Sequence, residues 1–387
     1  MPWKIGLITA SRLVLNTARR FAYPFAPVLS RGLGVPLTAI TSLIAVNQAT
    51  TIFGLLIGPI TDRLGYRRMM LAGLGVLTLG MTTASFFPVY GAVFLALALA
   101  GLGKTMFDPA MQSYISELVP FERRARAMGI LEFAWAGSTL IGIPLIAILI
   151  DRLGWRAPFF LLSGIGVLSL LTLSLFLPKE PEHARPRQLA WGFWQTFQVL
   201  LKNRIALATL GFSFCFSLAN ETIFVIYGAW LEHTFQVSIL TIGISTTVIG
   251  IAELTGELLT TMISDKLGVE RVILGGLFLC VLSYGLLPWC SHSFSLALGG
   301  LFLIFFIVEF TVINFLSLST ELLPGARATM ISGLFAAGGL GRITGSLLGG
   351  AAWLWGGIAA NSTISVITCS LAFGIIAWVI RQWKRTP

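Results

Sequence analysis

The sequence predicts an all-α polytopic membrane protein, with twelve transmembrane helices in two six-helix repeats and both termini cytoplasmic. Three observations carry this fold class. Of 387 residues, 56% are hydrophobic and 11% charged, against about 25% charged in soluble domains; mean hydropathy is +0.87. Apolar runs long enough to cross a hydrocarbon core of about 30 Å recur from end to end. Two stretches also recur at nearly one offset. TDRLGYRRMMLAG at 61–73 and SDKLGVERVILGG at 264–276 coincide at six of thirteen positions, and SELVPFERRARAMG at 116–129 is echoed by TELLPGARATMISG at 320–333. Such a period marks parallel repeats. The short alternating strands of a membrane β-barrel are not the pattern.

Spans are expected at 5–29, 38–60, 69–87, 91–118, 127–150, 158–177, 205–231, 239–262, 272–290, 295–322, 328–352 and 358–380. The first has internal arginines and no small-residue cleavage site, so it reads as a retained helix. The domains follow: an N-terminal bundle over 1–178, a cytoplasmic linker over 179–204 and a C-terminal bundle over 205–387. The linker opens on KEPEHARPRQ, and its later part, 191–201, is patterned as a surface amphipathic helix. Of the 26 Lys and Arg, 18 fall on one set of alternate connections and 3 on the other. That bias puts both termini inside. The net charge of +10 is therefore a mark of topology, and nucleic acid is not an expected partner. The four cysteines stand singly in or beside apolar segments and read as packed thiols.

Between spans two and three stands GPITDRLGYRR. Its Gly58, Asp62, Arg63, Gly65, Arg67 and Arg68 match the pattern G-x-x-x-D-R-x-G-x-R-R. Asp265 belongs to the weaker echo between spans eight and nine, where Thr261 and Glu270 replace Gly58 and Arg67. Over essentially its whole length the chain resembles a major facilitator superfamily transporter, closest in pattern to bacterial efflux-type members. The resemblance implies alternating access in the cell (inner) membrane. It implies that helices one, four, seven and ten line the cavity, and that the first loop closes the cytoplasmic side. Asp62 is suited to accept bonds from a helix N-terminus there. Two efflux-type patterns are altered: Leu97 stands where an early span-four arginine is common, and Gly142 and Pro144 are separated by one residue.

Ionisable residues fall in the expected cavity helices and their neighbours. Span one has Arg12, Arg19 and Arg20; span four Lys104 and Asp108; span five Glu132. Span seven has Glu221, span eight Glu253 and Glu257, span ten Glu309 and span eleven Arg342. Spans three, six, nine and twelve have none. Charge in a membrane is costly and marks function or a water-filled path. At about 100° per residue, Arg12, Asn16, Arg19 and Tyr23 share a stripe, with Arg20 at its edge. Arg12 is expected to snorkel toward the cytoplasmic end. A carboxylate whose neighbours alternate between apolar and cationic is a proton carrier. Asp108 and Glu132 are candidates opposite Arg19 or Lys104, as are Glu221 and Glu309 opposite Arg342. Glu253 and Glu257 lean toward structure. Tyr227 joins Phe212, Phe214, Phe216, Phe224, Phe302, Phe305, Phe306 and Phe310 as an aromatic cavity background, suited to flat, apolar or cationic molecules.

The expected function is secondary active transport of a small amphipathic molecule, as proton-coupled efflux by a monomer. Its partners are the substrate, a proton or other coupling ion, and the bilayer. One alternative is an organic-anion or lipid (lysolipid) carrier using the span-one arginines. Another is a non-transporting receptor or delivery factor on the same fold. An enzyme is not expected: the three histidines lie in loops or at span ends, and no catalytic triad order, metal spacing, cofactor motif or ATP-binding loop occurs. GxG pairs such as Gly73–Gly75 and Gly101–Gly103 read as close helix packing.

Overall fold

The computed structural model describes residues 2–54, 57, 60–61, 64–119, 130–131, 133–178, 200, 202–322 and 327–384. Helices dominate: α1 Pro2–Arg20, α2 Ala26–Leu33, α3 Leu37–Ala49 with a 3₁₀ turn Thr50–Phe53, α4 Tyr66–Phe86 and α5 Tyr90–Leu118. Next come α6 Phe133–Leu153 and α7 Ala157–Phe176, then α8 Arg204–Phe224, α9 Tyr227–Phe235, α10 Ile239–Leu267, α11 Val269–Leu286, α12 Phe294–Leu322 and α13 Arg327–Trp383. Among the described residues nine helices are long and apolar enough to cross a membrane, or ten if the pair α2 and α3, bent by 117°, is one broken span. The helix α1 carries Lys4, Arg12, Arg19 and Arg20, too much charge to be among them. The last of the nine, Met330–Trp383, runs 54 residues, over twice what one crossing needs. It is two helices joined at Gly356 and Gly357, where φ/ψ leave the helical region at −153/21° and 56/−150°.

The chain divides into two compact units, residues 1–188 with 238–247, and residues 189–237 with 248–387. Each is held by backbones that approach closely where a side chain is missing, the usual device where lipid gives no hydrophobic drive between helices. In the first unit, a Cβ on Gly73 of α4 would sit 2.6 Å from the Gly103 carbonyl of α5. Gly101 of α5 meets Asn47 and Thr50, and Gly142 of α6 meets Thr17 of α1. Gly75, by contrast, has open space, so only one member of that GxG pair is a packing residue. In the second unit, Gly338, Gly341, Gly345 and Gly349 of α13 lie along α8, against Ser217, Phe214, Glu221 and Thr222. The second arm of α13 is stitched to α8 by Ser365 donating to the Ala219 carbonyl (2.8 Å) and Asn361 to that of Thr222 (3.0 Å).

Spans one and seven are both interrupted, where the sequence suggested continuous helices. The first breaks between Arg20 and Ala26, at Pro24, which has no N–H to give. The second breaks at Val225–Ile226, without a proline. The interruption thus follows the repeat: Tyr23 and Tyr227 stand 204 positions apart at the two breaks, about two turns beyond the similarly related Asn16 and Asn220. Gly65 and Gly268, the shared glycines of the two loop motifs, both take positive φ (93° and 84°), which only glycine adopts without cost. Each caps the helix that follows.

Candidate functional site

The first unit gathers its membrane charges in one place. Lys104 on α5 donates to Asp108 one turn on (2.5 Å) and to Asn16 Oδ1 on α1 (2.6 Å). Arg12 approaches the same carboxylate through Nε (3.3 Å) and donates to the Leu131 carbonyl (2.9 Å). It is 5% exposed, so it does not snorkel as its sequence position suggested; the carboxylate and a carbonyl of α6's approach hold it inward. Arg20, equally buried, lies with its guanidinium carbon 4.3 Å from the centre of the Trp135 ring of α6, and Lys104 is 5.7 Å from the same ring. Such stacking is favourable and strengthens on desolvation. Arg19 donates to Gln48 Oε1 of α3 (2.5 Å), whose amide in turn donates to the Tyr23 hydroxyl.

Asn16 is fully buried. An ammonium has only donors, so the amide oxygen must face Lys104. That leaves Asn16 Nδ2 turned elsewhere, buried and with no hydrogen-bond partner among the described residues. On α6, the Thr139 hydroxyl is buried and likewise lacks one.

The structure thus brings together Asn16, Lys104 and Asp108, with Arg12 and Arg20 beside them, and ties Arg19 to Tyr23 through Gln48. Asp108 meets Lys104, as expected, and Arg12, which was not expected. Gln48 and its neighbour Asn47, which donates to the Leu97 carbonyl (2.6 Å), were missed. The signal was there: AVNQAT is a polar pair inside an apolar span. Glu132, Gly58, Asp62 and Arg63 lie outside the described residues, as does the side chain of Asp265.

The second unit is different. Glu221 on α8 is 2% exposed and accepts from Ser346 of α13 (2.9 Å), where pairing with Arg342 was expected. Arg342 is half-buried, and its Nε has no hydrogen-bond partner among the described residues. Glu309 is half-buried on α12, its Cβ against Gly256 of α10. The aromatic residues largely pack on one another. Phe212 stacks on Phe216 (5.6 Å) and meets Phe315 (4.3 Å), while Phe224 stacks on the buried Tyr227 (5.5 Å) and meets Phe305 (5.2 Å). Phe302, Phe306 and Phe310 form a ladder along α12 at 6.1 and 6.4 Å.

At the loop motifs, Arg68 is exposed, and Arg67 at the start of α4 donates to the Ser174 carbonyl near the end of α7 (2.5 Å). The repeat carries Glu270 at the place of Arg67, at the start of α11. It pairs with Lys384, just beyond α13. The altered residue therefore keeps a tie from the third helix of its repeat to the end of the last, with the charge reversed.

The family profile described as Major Facilitator Superfamily matches residues 8–220 and 209–387. Among relatives, an uncharacterized MFS-type transporter of Bacillus subtilis (strain 168), YceJ, is 27% identical over 354 residues, 90% of this chain and 88% of the relative. The vesicular acetylcholine transporter of Homo sapiens is 27% identical over 245 residues, 62% of this chain and 45% of that protein. Of solved structures, a bacterial homolog of the human lysosomal transporter Spinster, inward-facing and occupied, superposes with a TM-score of 0.80 at 13% identity, covering 98% of this chain and 97% of that one. The nucleoside transporter NupG gives 0.76 at 12% identity, covering 97% and 99%. At such identities the superpositions speak for the fold alone. With the profile matched on both halves, the chain belongs to the Major Facilitator Superfamily and is a multi-pass membrane transporter, not an enzyme.

Proposed function

We propose that the protein is a secondary active transporter that moves a small amphipathic molecule by alternating access, with twelve spans and both termini on the cytoplasmic side of a cell (inner) membrane. The 1–178 and 205–387 bundles are the two halves that rock, joined by the 179–204 linker. The observation that supports this best is the charged cluster on α1 and α5. Arg12, Arg20 and Lys104 are each 5% exposed inside a unit built largely of apolar helices. Buried charges stabilise a fold poorly compared with apolar packing, so their presence speaks for a solute path. The gate assigned to Gly58, Asp62, Arg63, Gly65, Arg67, Arg68 and Asp265 is part of the same reading.

Proton-coupled export is the mode we favour. Asp108 has two cations on it and serves best as their fixed counter-ion. Glu221, buried with a hydroxyl donor, is the better proton carrier. In proteoliposomes with an imposed pH gradient, addition of substrate on one side should dissipate the gradient. Glu221→Gln should lose gradient-driven uptake and keep substrate exchange. Full gradient-driven uptake in Glu221→Gln would remove Glu221 from the proton path.

A further inference from the structure

We infer that the first unit binds an anionic group, a carboxylate or phosphate, at Asn16 Nδ2 between Lys104 and Arg20. This deepens the transporter reading above and rests on it. Two independent observations point the same way. The first is charge. The spans of this unit carry Arg12, Arg19, Arg20 and Lys104, against the carboxylates Asp108 and Glu132 and, at the end of span four, Glu117. Cations exceed anions by one even if all three carboxylates are ionised, and a low-dielectric site penalises such an excess.

The second is the orphan donor. Asn16 is 0% exposed, its oxygen is taken by Lys104 at 2.6 Å, and its Nδ2 has no acceptor among the described residues. A buried donor left unmade costs free energy, and what it lacks is an acceptor. Beside a lysine ammonium, an anionic oxygen is the acceptor such a site favours, because charge-assisted bonds are the stronger ones. The Trp135 ring, with Arg20 at 4.3 Å and Lys104 at 5.7 Å, gives the ligand an apolar wall on one side. The ligand class is therefore an anion attached to an apolar body. Acetylcholine, the cargo named for one relative, carries a cation, and the carboxylate it would seek here, Asp108, is already held by Lys104 and Arg12.

The test uses the full chain in phosphatidylcholine nanodiscs and one ring with four head groups: phenyl phosphate, benzoate, benzylamine and benzyl alcohol. Equilibrium binding should favour phenyl phosphate or benzoate over benzylamine by at least about ten-fold. Asn16→Asp keeps the oxygen that faces Lys104 and puts an anionic acceptor where the orphan donor was. It should weaken anion binding by about ten-fold or more while eluting as a folded monodisperse protein. Should it not fold, Asn16→Leu, which removes the donor without adding charge, should show the same loss. Competition by inorganic phosphate would identify a free solute anion as the source. Binding only of lysophosphatidate doped into the nanodisc would identify a lipid head group. Equal or tighter binding of benzylamine, no binding of any anionic probe, or unchanged anion binding in folded Asn16→Asp would each overturn the inference. Counterflow of any solute in proteoliposomes would then show whether transport itself survives that failure.

Discussion

The two units share a scaffold and divide the chemistry. At 204 positions' distance, Asn16 and Tyr23 of the first unit return as Asn220 and Tyr227 in the second, and both helices break there. The close approach of Gly142 to Thr17 returns as that of Gly345 to Glu221, and that of Gly73 of α4 to Gly103 of α5 returns as that of Gly276 to Thr311 of α12. The charges do not return. At the same distance Arg12, Arg19, Arg20, Lys104 and Asp108 become Phe216, Ile223, Phe224, Val308 and Val312. Positions where backbone meets helix allow no side chain and are held in both units. Positions that face the interior accept any polarity the unit can satisfy, so they carry the difference in function.

The largest effect should come from breaking the charge cluster. Asp108→Asn leaves Lys104 and Arg12 buried without their carboxylate and should cost about 3–5 kcal/mol, read as thermal unfolding in lipid nanodiscs. Val312→Asn, at the matching place in the second unit, strands no charge and should cost clearly less. Equal losses would mean that the cluster is no more than another packed surface. Next come the close approaches. A Cβ at Gly345 would lie 2.8 Å from Glu221 Cβ and 2.9 Å from the Leu218 carbonyl, so Gly345→Ala should cost about 1–3 kcal/mol. Gly75→Ala, with open space around it, should be neutral or stabilise by up to about 1 kcal/mol. The smallest effect belongs to the tie of Glu270 to Lys384, whose lysine is well exposed. Glu270→Lys alone should cost no more than about 1 kcal/mol. The double exchange with Lys384→Glu should recover it, and a double variant no better than the single would show that the tie is incidental.

The all-helical membrane character, the repeat and the polar stripe on α1 were legible in the sequence because each depends on local spacing. Lys104 and Asp108, one turn apart, were bound to meet if their helix formed. What spacing cannot give is the neighbour across a helix pair. It put Arg19 on the right face but could not choose Gln48 over Asp108 as its partner, and it left Arg12 to snorkel when Asp108 and the Leu131 carbonyl were within reach. The break in span seven was hidden for a similar reason: with no proline to mark it, only the duplicated packing of α8 against α13 places it. The phenylalanines of α8 and α12 looked like a cavity lining by composition alone. Phe212, Phe216 and Phe315 instead fill one another's space. Glu270 reads as a lost arginine until Lys384 is seen beside it.

The central claim is that Asn16, the first copy of a duplicated asparagine, serves an anionic ligand. It is tested most directly by measuring equilibrium binding of phenyl phosphate to Asn16→Asp and Asn220→Asp in the same nanodiscs. The account predicts a loss of about ten-fold or more for Asn16→Asp and a change within about two-fold for Asn220→Asp. Equal losses in both, or the larger loss in Asn220→Asp, would contradict it.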